Sequence, residues 1–192
     1  MQLINKQSFY NYRYGFMQIA ALIFFSIALY FFYLWMQSLG EGPRRKNENR
    51  YLSTLSIGVD FKKNGFPVFL KKISGVSNLE PWGRWTDANL GPIASLEFYR
   101  VLPKKFQLEL VAFSFNAESN RPVKIRVGSE EKIILLTNVG KSYSINFENN
   151  EDTNLIEIIP LMPTSPQQLD PKNTDTRSLG VGLEQLKIIT LE

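Results

Sequence analysis

The sequence contains no cysteine and no histidine among its 192 residues. Without cysteine, disulfide bonds, thiolate nucleophiles and cysteine metal sites are excluded. Without histidine, the chain lacks the side chain that most often serves as a general base and as a ligand for zinc, copper or iron. These two absences predict a protein that has no metal site and no cofactor.

A strong excess of charge is also missing. The 22 Lys and Arg residues against 18 Asp and Glu residues give a formal net charge of only +4. No basic face with interleaved aromatic residues is visible, so nucleic acid is not an expected partner. Hydrophobic residues make up 44% of the chain and charged residues 21%. These fractions exclude a disordered chain and a protein with many membrane spans, and the length suits one domain plus an anchor.

One long hydrophobic run lies near the N-terminus. Residues 16–36 read FMQIAALIFFSIALYFFYLWM, in which Gln18 and Ser26 are the only clearly polar side chains. As an α-helix this run would be about 30 Å long, the thickness of the hydrocarbon core of a bilayer. No polar face recurs at the helical period, which argues against a buried helix of a soluble domain. The run predicts a single transmembrane helix at 16–36 in contact with the lipid bilayer, after a cytoplasmic segment at 1–15.

A cleaved signal peptide is the alternative, because Ser38-Leu39-Gly40 offers small residues at a plausible spacing. The run is longer than the roughly 7–15 apolar residues of a signal peptide, so retention is favoured. Basic residues flank the helix unequally. Lys6 and Arg13 precede it, and Arg44, Arg45, Lys46 and Arg50 follow it. By the positive-inside rule this count favours a cytoplasmic C-terminal part, although long domains can translocate against the rule.

Residues 37–50 are mostly polar after Leu39 and predict a tether, which leaves residues 51–192 as the folded part. Short runs of alternating apolar and polar residues, separated by turn residues, predict strands there. These strands are expected at 55–61, 68–73, 93–98, 106–112, 123–127, 132–136, 143–147, 155–159 and 183–191. The pattern predicts an all-β fold, an antiparallel jelly-roll-like β-sandwich, with an up-and-down barrel as the main alternative. The turn-rich segment 160–175 is expected to be functional or packed against the body.

Two tryptophans, an arginine and two acidic residues are concentrated in the sequence EPWGRWTD at residues 80–87. An indole can stack on the apolar face of a sugar while charged side chains bind its hydroxyl groups. The candidate ligand-binding residues are therefore Glu80, Trp82, Arg84, Trp85 and Asp87. The alternative is structural, with the tryptophans filling the core and Arg84 paired to an acidic residue.

A second cluster reads DTRSLGVGL at residues 175–183. Asp175 and Arg177 are candidates to hold a ligand, or equally to fix the preceding loop through a salt bridge. Gly180 and Gly182 permit a tight approach to the last strand, but they lack the third glycine and the following helix of a phosphate-binding loop.

Catalysis is not expected from these groups. A glycosidase requires two opposed carboxyl groups, and Glu80, Asp87 and Asp175 are present, but nothing in their spacing defines an acid and base pair. A serine hydrolase would lack its histidine base. The sequence therefore predicts a protein that is not an enzyme, with a carboxylate-dependent hydrolase as the alternative.

Taken in order, the two clusters carry a family resemblance. Together with LPKKF at 102–106, Phe115-Asn116 and Ser165-Pro166, they resemble the C-terminal β-domain of phosphoglycerol transferase I, a bacterial enzyme that decorates periplasmic glucans. Similar domains end some multi-span glycosyltransferase-like proteins. The resemblance covers residues 73–189, and its E-x-W-G-R-W and D-x-R-x-L-G motifs are specific when they occur together.

The resemblance implies a role but no chemistry. The metal-dependent, sulfatase-like catalytic domain of that family has no counterpart in this sequence, so no catalytic residue carries over. The resemblance implies an accessory β-domain on the periplasmic side of the bacterial inner membrane. This location is opposite to the one that the count of basic residues around 16–36 favours. The expected function is binding of an envelope glycan or glycan precursor. The alternative is a structural subunit that docks on a membrane-bound glycan-modifying enzyme.

Overall fold

The structure, a computed structural model, describes residues 29–30, 49–115 and 121–192. Leu29 and Tyr30 are helical. The rest of the predicted transmembrane helix, the segment 1–15, nearly all of the tether and Asn116 lie outside the described residues. Within the described part of the chain, no helix has both the length and the hydrophobicity needed to cross a membrane. The chain divides into two compact units, Met1–Asn47 and Glu48–Glu192, and the second contains the folded domain.

The regular secondary structure of the domain is almost all β-strand, which confirms the predicted all-β class. The strands are β1 (Arg50–Tyr51), β2 (Val59–Asp60), β3 (Phe66–Pro67), β4 (Leu70–Ser74), β5 (Arg84–Asp87), β6 (Ala94–Phe98), β7 (Lys105–Ser114), β8 (Arg121–Val127), β9 (Glu130–Leu136), β10 (Lys141–Glu148), β11 (Leu155–Pro160) and β12 (Leu179–Thr190). One short helix, Pro166–Leu169, interrupts them.

Two five-stranded antiparallel sheets carry most of the fold. The first has the order β10-β7-β12-β2, with β5 also paired to β12, and the second has the order β4-β6-β11-β8-β9. A small parallel pair, β1 with β3, completes the described sheets. The jelly-roll connectivity stays a prediction.

Inward-facing side chains of both sheets form one hydrophobic core. In β7, Phe106, Leu108, Leu110 and Ala112 are all fully buried and alternate with partly exposed residues, as the sequence predicted. Side chains of a strand point alternately to its two faces, so this alternation places one face of the sheet against the core. Buried residues of β8, β11 and β12 belong to the same cluster.

Two local predictions were wrong. The expected strand at 55–61 is present only as Val59–Asp60. The preceding residues form a turn in which the Gly58 amide donates to the Thr54 carbonyl at 2.7 Å, and Gly58 has a φ of +89° that other residues rarely adopt. Strand β5 was not predicted, because all four of its residues are buried and the apolar alternation is lost.

The segment 160–175 packs against the domain, as predicted, and contains the short helix that was not predicted. Ser165 begins this helix with a capping box: its hydroxyl accepts from the Gln168 amide at 3.1 Å, and its own amide donates to the Gln168 side chain at 2.9 Å. Backbone pairing of Thr164 with Leu179 joins the segment to β12. This attachment fixes the position of the residues that follow, including Asp175.

The first sheet has two ends, which are named here by the ends of β7. At the Lys105 end, β7 begins and β10 finishes, with Lys105 paired to Glu148. At the Ser114 end, Lys141 of β10 pairs with Ala112, and Val181 of β12 pairs with Ser114. The two ends lie about 30 Å apart, the length of a ten-residue strand.

Candidate functional site

The two sequence clusters meet at the Ser114 end because β5 pairs with β12. Asp87 pairs with Leu179, Trp85 with Gly182 and Arg84 with Leu183. Residues that precede β5 and residues that precede β12 are thereby brought to the same region of the domain surface. The pairing explains how two motifs far apart in the sequence contribute to one site.

An ionic cluster of Glu80, Asp175 and Arg177 joins the two motifs. The Arg177 Nη1 atom lies 2.8 Å from Glu80 Oε1, and Nη2 lies 2.7 Å from Asp175 Oδ2. The Arg177 Nε atom also donates to both oxygens of Asp175 at 3.1 Å. The side chains are 37% exposed for Arg177, 28% for Glu80 and 29% for Asp175, so all three can contact a molecule from solution.

Hydrogen bonding within the cluster shifts the pKa of two of its members, Asp175 and Arg177. Hydrogen bonds from the Arg177 side chain, with a further bond from its amide, lower the pKa of Asp175 below its usual value, although partial burial opposes the shift. Hydrogen bonds to Asp175 and then to Glu80 raise the pKa of Arg177. Two carboxylates and one guanidinium give the cluster a net charge of −1 around neutral pH.

Trp82 lies directly beside the ionic cluster and is partly exposed. Its indole N–H donates to Glu80 Oε2 at 3.0 Å. Its ring packs edge-on against Trp85 at 4.7 Å and against Phe113 at 4.8 Å between centroids. The indole is therefore held in a fixed position next to charged groups that are also fixed.

An aromatic cluster of Trp82, Trp85, Phe113 and Phe115 supports this site. Trp85 contacts Phe113 at 5.1 Å and Phe115 at 5.3 Å between ring centroids. Phe113 alternates with core-facing Ala112 and Ser114, so the cluster lies on the face of the sheet that points away from the core. Trp85 is only 9% exposed, yet it lies outside the main cluster of buried residues between the sheets.

Arg84 points in the opposite direction, into the domain, and is 8% exposed. Its guanidinium donates to the carbonyl groups of Ser77 at 3.3 Å and Lys63 at 3.4 Å. It also lies 4.7 Å from the centre of the Phe66 ring, a core residue. These contacts favour the structural alternative for Arg84, with carbonyl groups and an aromatic ring among its partners.

Asp87 also has a structural position, with 4% exposure. Its Oδ1 atom accepts hydrogen bonds from the amides of Ser178 and Asn89, both at 3.0 Å. These bonds hold the start of β12 against the end of β5. The structure thus groups Glu80, Trp82, Asp175 and Arg177 at the surface and places Arg84, Trp85 and Asp87 beneath or beside them.

A comparison with known protein families supports the resemblance carried by the motifs at 80–87 and 175–183. Residues 45–190 match the family described as "Domain of unknown function (DUF7024)". The chain belongs to the DUF7024 family. It is 35% identical over 146 residues to phosphoglycerol transferase I of Citrobacter koseri and of Salmonella typhi, which covers 76% of this chain and 19% of each relative. The resemblance seen in the sequence is confirmed, and the chain spans about a fifth of the length of these curated relatives.

Two members of the candidate site were missed by reading the sequence. Phe113 lies on the outer face of β7 and Phe115 directly after its end, and both contact Trp85, whereas only the residues at 106–112 were predicted as a strand. An available signal was the i, i+2 spacing of these two aromatic residues directly after the predicted strand. The contact between Glu80 and Arg177 had no sequence signal, because it depends on the pairing of β5 with β12.

We expect the Asp175→Asn variant of the DUF7024 domain to lose stability near neutral pH and to approach the wild type in acid. Since the pKa of Asp175 is lowered in the folded state, its stabilising contribution is full above its unfolded pKa of about 3.9. The contribution is lost as the pH falls through the lower folded-state pKa. Urea unfolding of both proteins at pH 7, 4 and 3 measures this difference.

Asp152→Asn is the control, since Asp152 pairs with Lys104 at a highly exposed site. A difference that stays constant from pH 7 to pH 3 would contradict the assignment.

Proposed function

We propose that this DUF7024 domain binds an envelope glycan or a glycan precursor and works as an accessory module without catalysis of its own. The observation that carries the proposal is the partly exposed indole of Trp82, fixed beside the ionic cluster of Glu80, Asp175 and Arg177. Sugars offer an apolar face for stacking and hydroxyl groups for charge-assisted hydrogen bonds, and this surface provides both kinds of contact.

The proposed binding surface is smaller than the set of residues predicted from the sequence. Glu80, Trp82, Asp175 and Arg177 would contact the ligand, because they are the partly exposed members. Arg84, Trp85 and Asp87 would act indirectly, by fixing β5 and the residues on either side of it. A site whose charged groups are already paired loses little side-chain entropy on binding, which supports recognition of a weakly interacting ligand.

The family relationship supports a role in envelope glycan modification. The relatives carry the name phosphoglycerol transferase I, and the matched region is about a fifth of each of them. We propose that this chain is held in the bacterial inner membrane by residues 16–36, with its domain in the periplasm. There it would act beside a membrane-bound glycan-modifying enzyme.

Removing the exposed indole tests the glycan site. We expect Trp82→Ala to weaken oligosaccharide binding by about 30-fold, because an anchoring aromatic residue contributes about 2 kcal/mol at a recognition site. Stability should fall by only about 1 kcal/mol, since Trp82 is partly exposed. Calorimetry of the full chain with soluble β-glucan oligosaccharides, with and without phosphoglycerol groups, provides the measurement. Tyr99→Ala is the matched control, because it removes an exposed aromatic residue at the Lys105 end.

Unchanged affinity in the Trp82→Ala variant would place the ligand elsewhere on the domain. No measurable binding of any oligosaccharide by the wild type would remove the proposal. In that case the second candidate function, a structural subunit, is favoured by a specific observation. Arg84, Trp85 and Asp87 are buried, and both carboxylate oxygens of Glu80 already accept hydrogen bonds within the domain.

Export of the domain is a separate prediction, made against the count of basic residues around residues 16–36. We expect alkaline phosphatase fused after Glu192 to be active in bacterial cells, because this enzyme matures only outside the cytoplasm. A fluorescent protein that requires the cytoplasm is the reciprocal fusion. Fluorescence of that fusion without phosphatase activity would show that the positive-inside rule determines the orientation.

A further inference from the structure

A groove opens at the Lys105 end, far from the candidate glycan site. Its volume is about 400 Å³. The walls come from the chain after β1, from the turn between β3 and β4, and from the loop between β6 and β7. The lining residues are Ser53, Thr54, Leu55, Val68, Phe69, Phe98, Tyr99, Arg100, Val101 and Leu102. The groove thus lies where the described chain first enters the domain.

Large apolar side chains surround this groove and face solvent. Leu52 is 90% exposed, Tyr99 65%, Val101 52% and Val68 43%. Single exposed apolar residues are ordinary, but several around one groove indicate an interaction surface for a ligand, a protein or a membrane. Their positions are fixed, because the loop after β6 is held by backbone bonds from Tyr99 to Phe69 at 3.1 Å and from Leu102 to Thr153 at 3.0 Å.

The chemistry of this surface fits a lipid interface. Arg100 is exposed between Tyr99 and Val101, and Lys72 is exposed on the neighbouring strand β4, where Lys71 pairs with Glu97 at 2.6 Å. Tyrosine and basic side chains next to apolar ones are the residues that proteins place at the level of lipid headgroups. Basic residues near a membrane surface also gain energy from anionic lipids.

The position along the chain favours a membrane over a soluble partner. Leu52 and the groove wall at Ser53 come directly after β1, and the predicted tether and membrane helix precede β1 in the sequence. Fully extended, a tether of this length reaches about 45 Å, and it allows much shorter distances. With residues 16–36 in the membrane as proposed, a bilayer would be within reach of this end of the domain, at a high effective concentration.

We propose that the Lys105 end docks on the surface of an anionic bilayer through Leu52, Val68, Tyr99, Arg100 and Val101. The apolar side chains enter the headgroup region, and Arg100 binds lipid phosphates. This docking rests on the proposed membrane anchor at 16–36 but not on glycan binding, because the two surfaces lie at opposite ends of the first sheet.

The absence of cysteine permits a direct test with the full chain. A single cysteine at Val101→Cys carries an environment-sensitive fluorophore, and Val139→Cys carries it at the Ser114 end, where Val139 is 68% exposed. Each protein is reconstituted in vesicles of phosphatidylethanolamine and phosphatidylglycerol, with nitroxide-labelled lipids as quenchers. We expect strong quenching for the label at 101 and little for the label at 139.

A second substitution tests the charge contribution. Arg100→Gln, introduced into the protein labelled at 101, should weaken docking by about fivefold, the contribution of one basic residue at an anionic surface. Lys141→Gln should leave docking unchanged.

Three outcomes would overturn the proposal. Equal quenching at both positions would mean that the domain has no preferred face. A label at 101 that is shielded from water but not quenched by lipids would mean that the groove is occupied by the chain itself. Water-exposed labels at both positions, in vesicles that contain only lipid and this protein, would leave a protein partner as the occupant of the surface.

Discussion

Replacing Arg84 with alanine is expected to destabilise the domain by about 3 kcal/mol. The guanidinium is buried, donates to the carbonyl groups of Ser77 and Lys63 and packs on Phe66. Its removal leaves at least one buried carbonyl without this donor, at a cost of about 1–3 kcal/mol. It also leaves a cavity against the core that the surrounding side chains fill only in part.

Denaturant unfolding of the full chain in detergent, followed by tryptophan fluorescence, measures this effect. Arg100→Ala is the matched control, because it removes an exposed arginine and should change stability by less than about 0.5 kcal/mol. Equal stability of the two variants would mean that Arg84 contributes little to the fold. Strong destabilisation also separates Arg84 from the ligand surface, since any loss of glycan affinity in this variant would follow the loss of structure.

The Gly83→Ala substitution is expected to lower the free energy of unfolding of the domain by about 3 kcal/mol or more. Gly83 has a φ of +153°, and an added Cβ atom would lie 2.2 Å from the carbonyl oxygen of Leu183. This oxygen belongs to the backbone of β12 and cannot rotate away, so β5 would have to separate from β12. Strain of this kind at a fixed backbone position typically costs about 1–3 kcal/mol, and the lost strand contacts add to it.

Gly91→Ala is the control for this substitution. A Cβ atom at Gly91 would meet its nearest neighbour, the Ile93 carbonyl oxygen, at 3.6 Å, an ordinary contact distance. We expect a change in unfolding free energy of less than about 1 kcal/mol there. The Gly83 variant should also lose glycan binding, because Gly83 closes the turn that positions Glu80 through backbone bonds of 2.8 and 3.2 Å. A stable Gly83→Ala protein would show that β5 can shift without loss of pairing.

Much of the fold could be predicted because most strands have one buried face. Alternation of apolar residues in β7 and β8 predicted both strands and the side that faces the core. The same reasoning missed β5, because all four of its residues are buried. This strand pairs with β12 along one edge, and along the other the Ser77 amide donates to the Trp85 carbonyl and the Asp87 amide donates to the Gly75 carbonyl. It also extended the strand at 55–61 too far, because the conformation of Gly58 is not visible in a hydrophobic pattern.

The candidate site could be predicted as a set of residue types but not as an arrangement. The density of Trp, Arg and acidic residues singled out Glu80 and Trp82 as candidates, and the structure places both at the surface. Which side chains face solvent depends on the direction of each strand residue, and neighbours such as Arg84 and Trp85 must point to opposite faces. Without knowledge that 84–87 is a strand, the sequence could not separate the buried arginine from the surface indole.

The two ends of the first sheet give the domain a defined height. From Lys105 to Phe113, β7 covers about 25 Å, and its pairing with β10 and β12 along this length makes it stiff. If the Lys105 end docks on lipid as proposed, with β7 along the membrane normal, the indole of Trp82 would lie about that far above the headgroups. A sugar attached directly to a lipid would then lie below the reach of this site. In that arrangement the length of the domain would favour long or freely diffusing glycans over short lipid-linked ones.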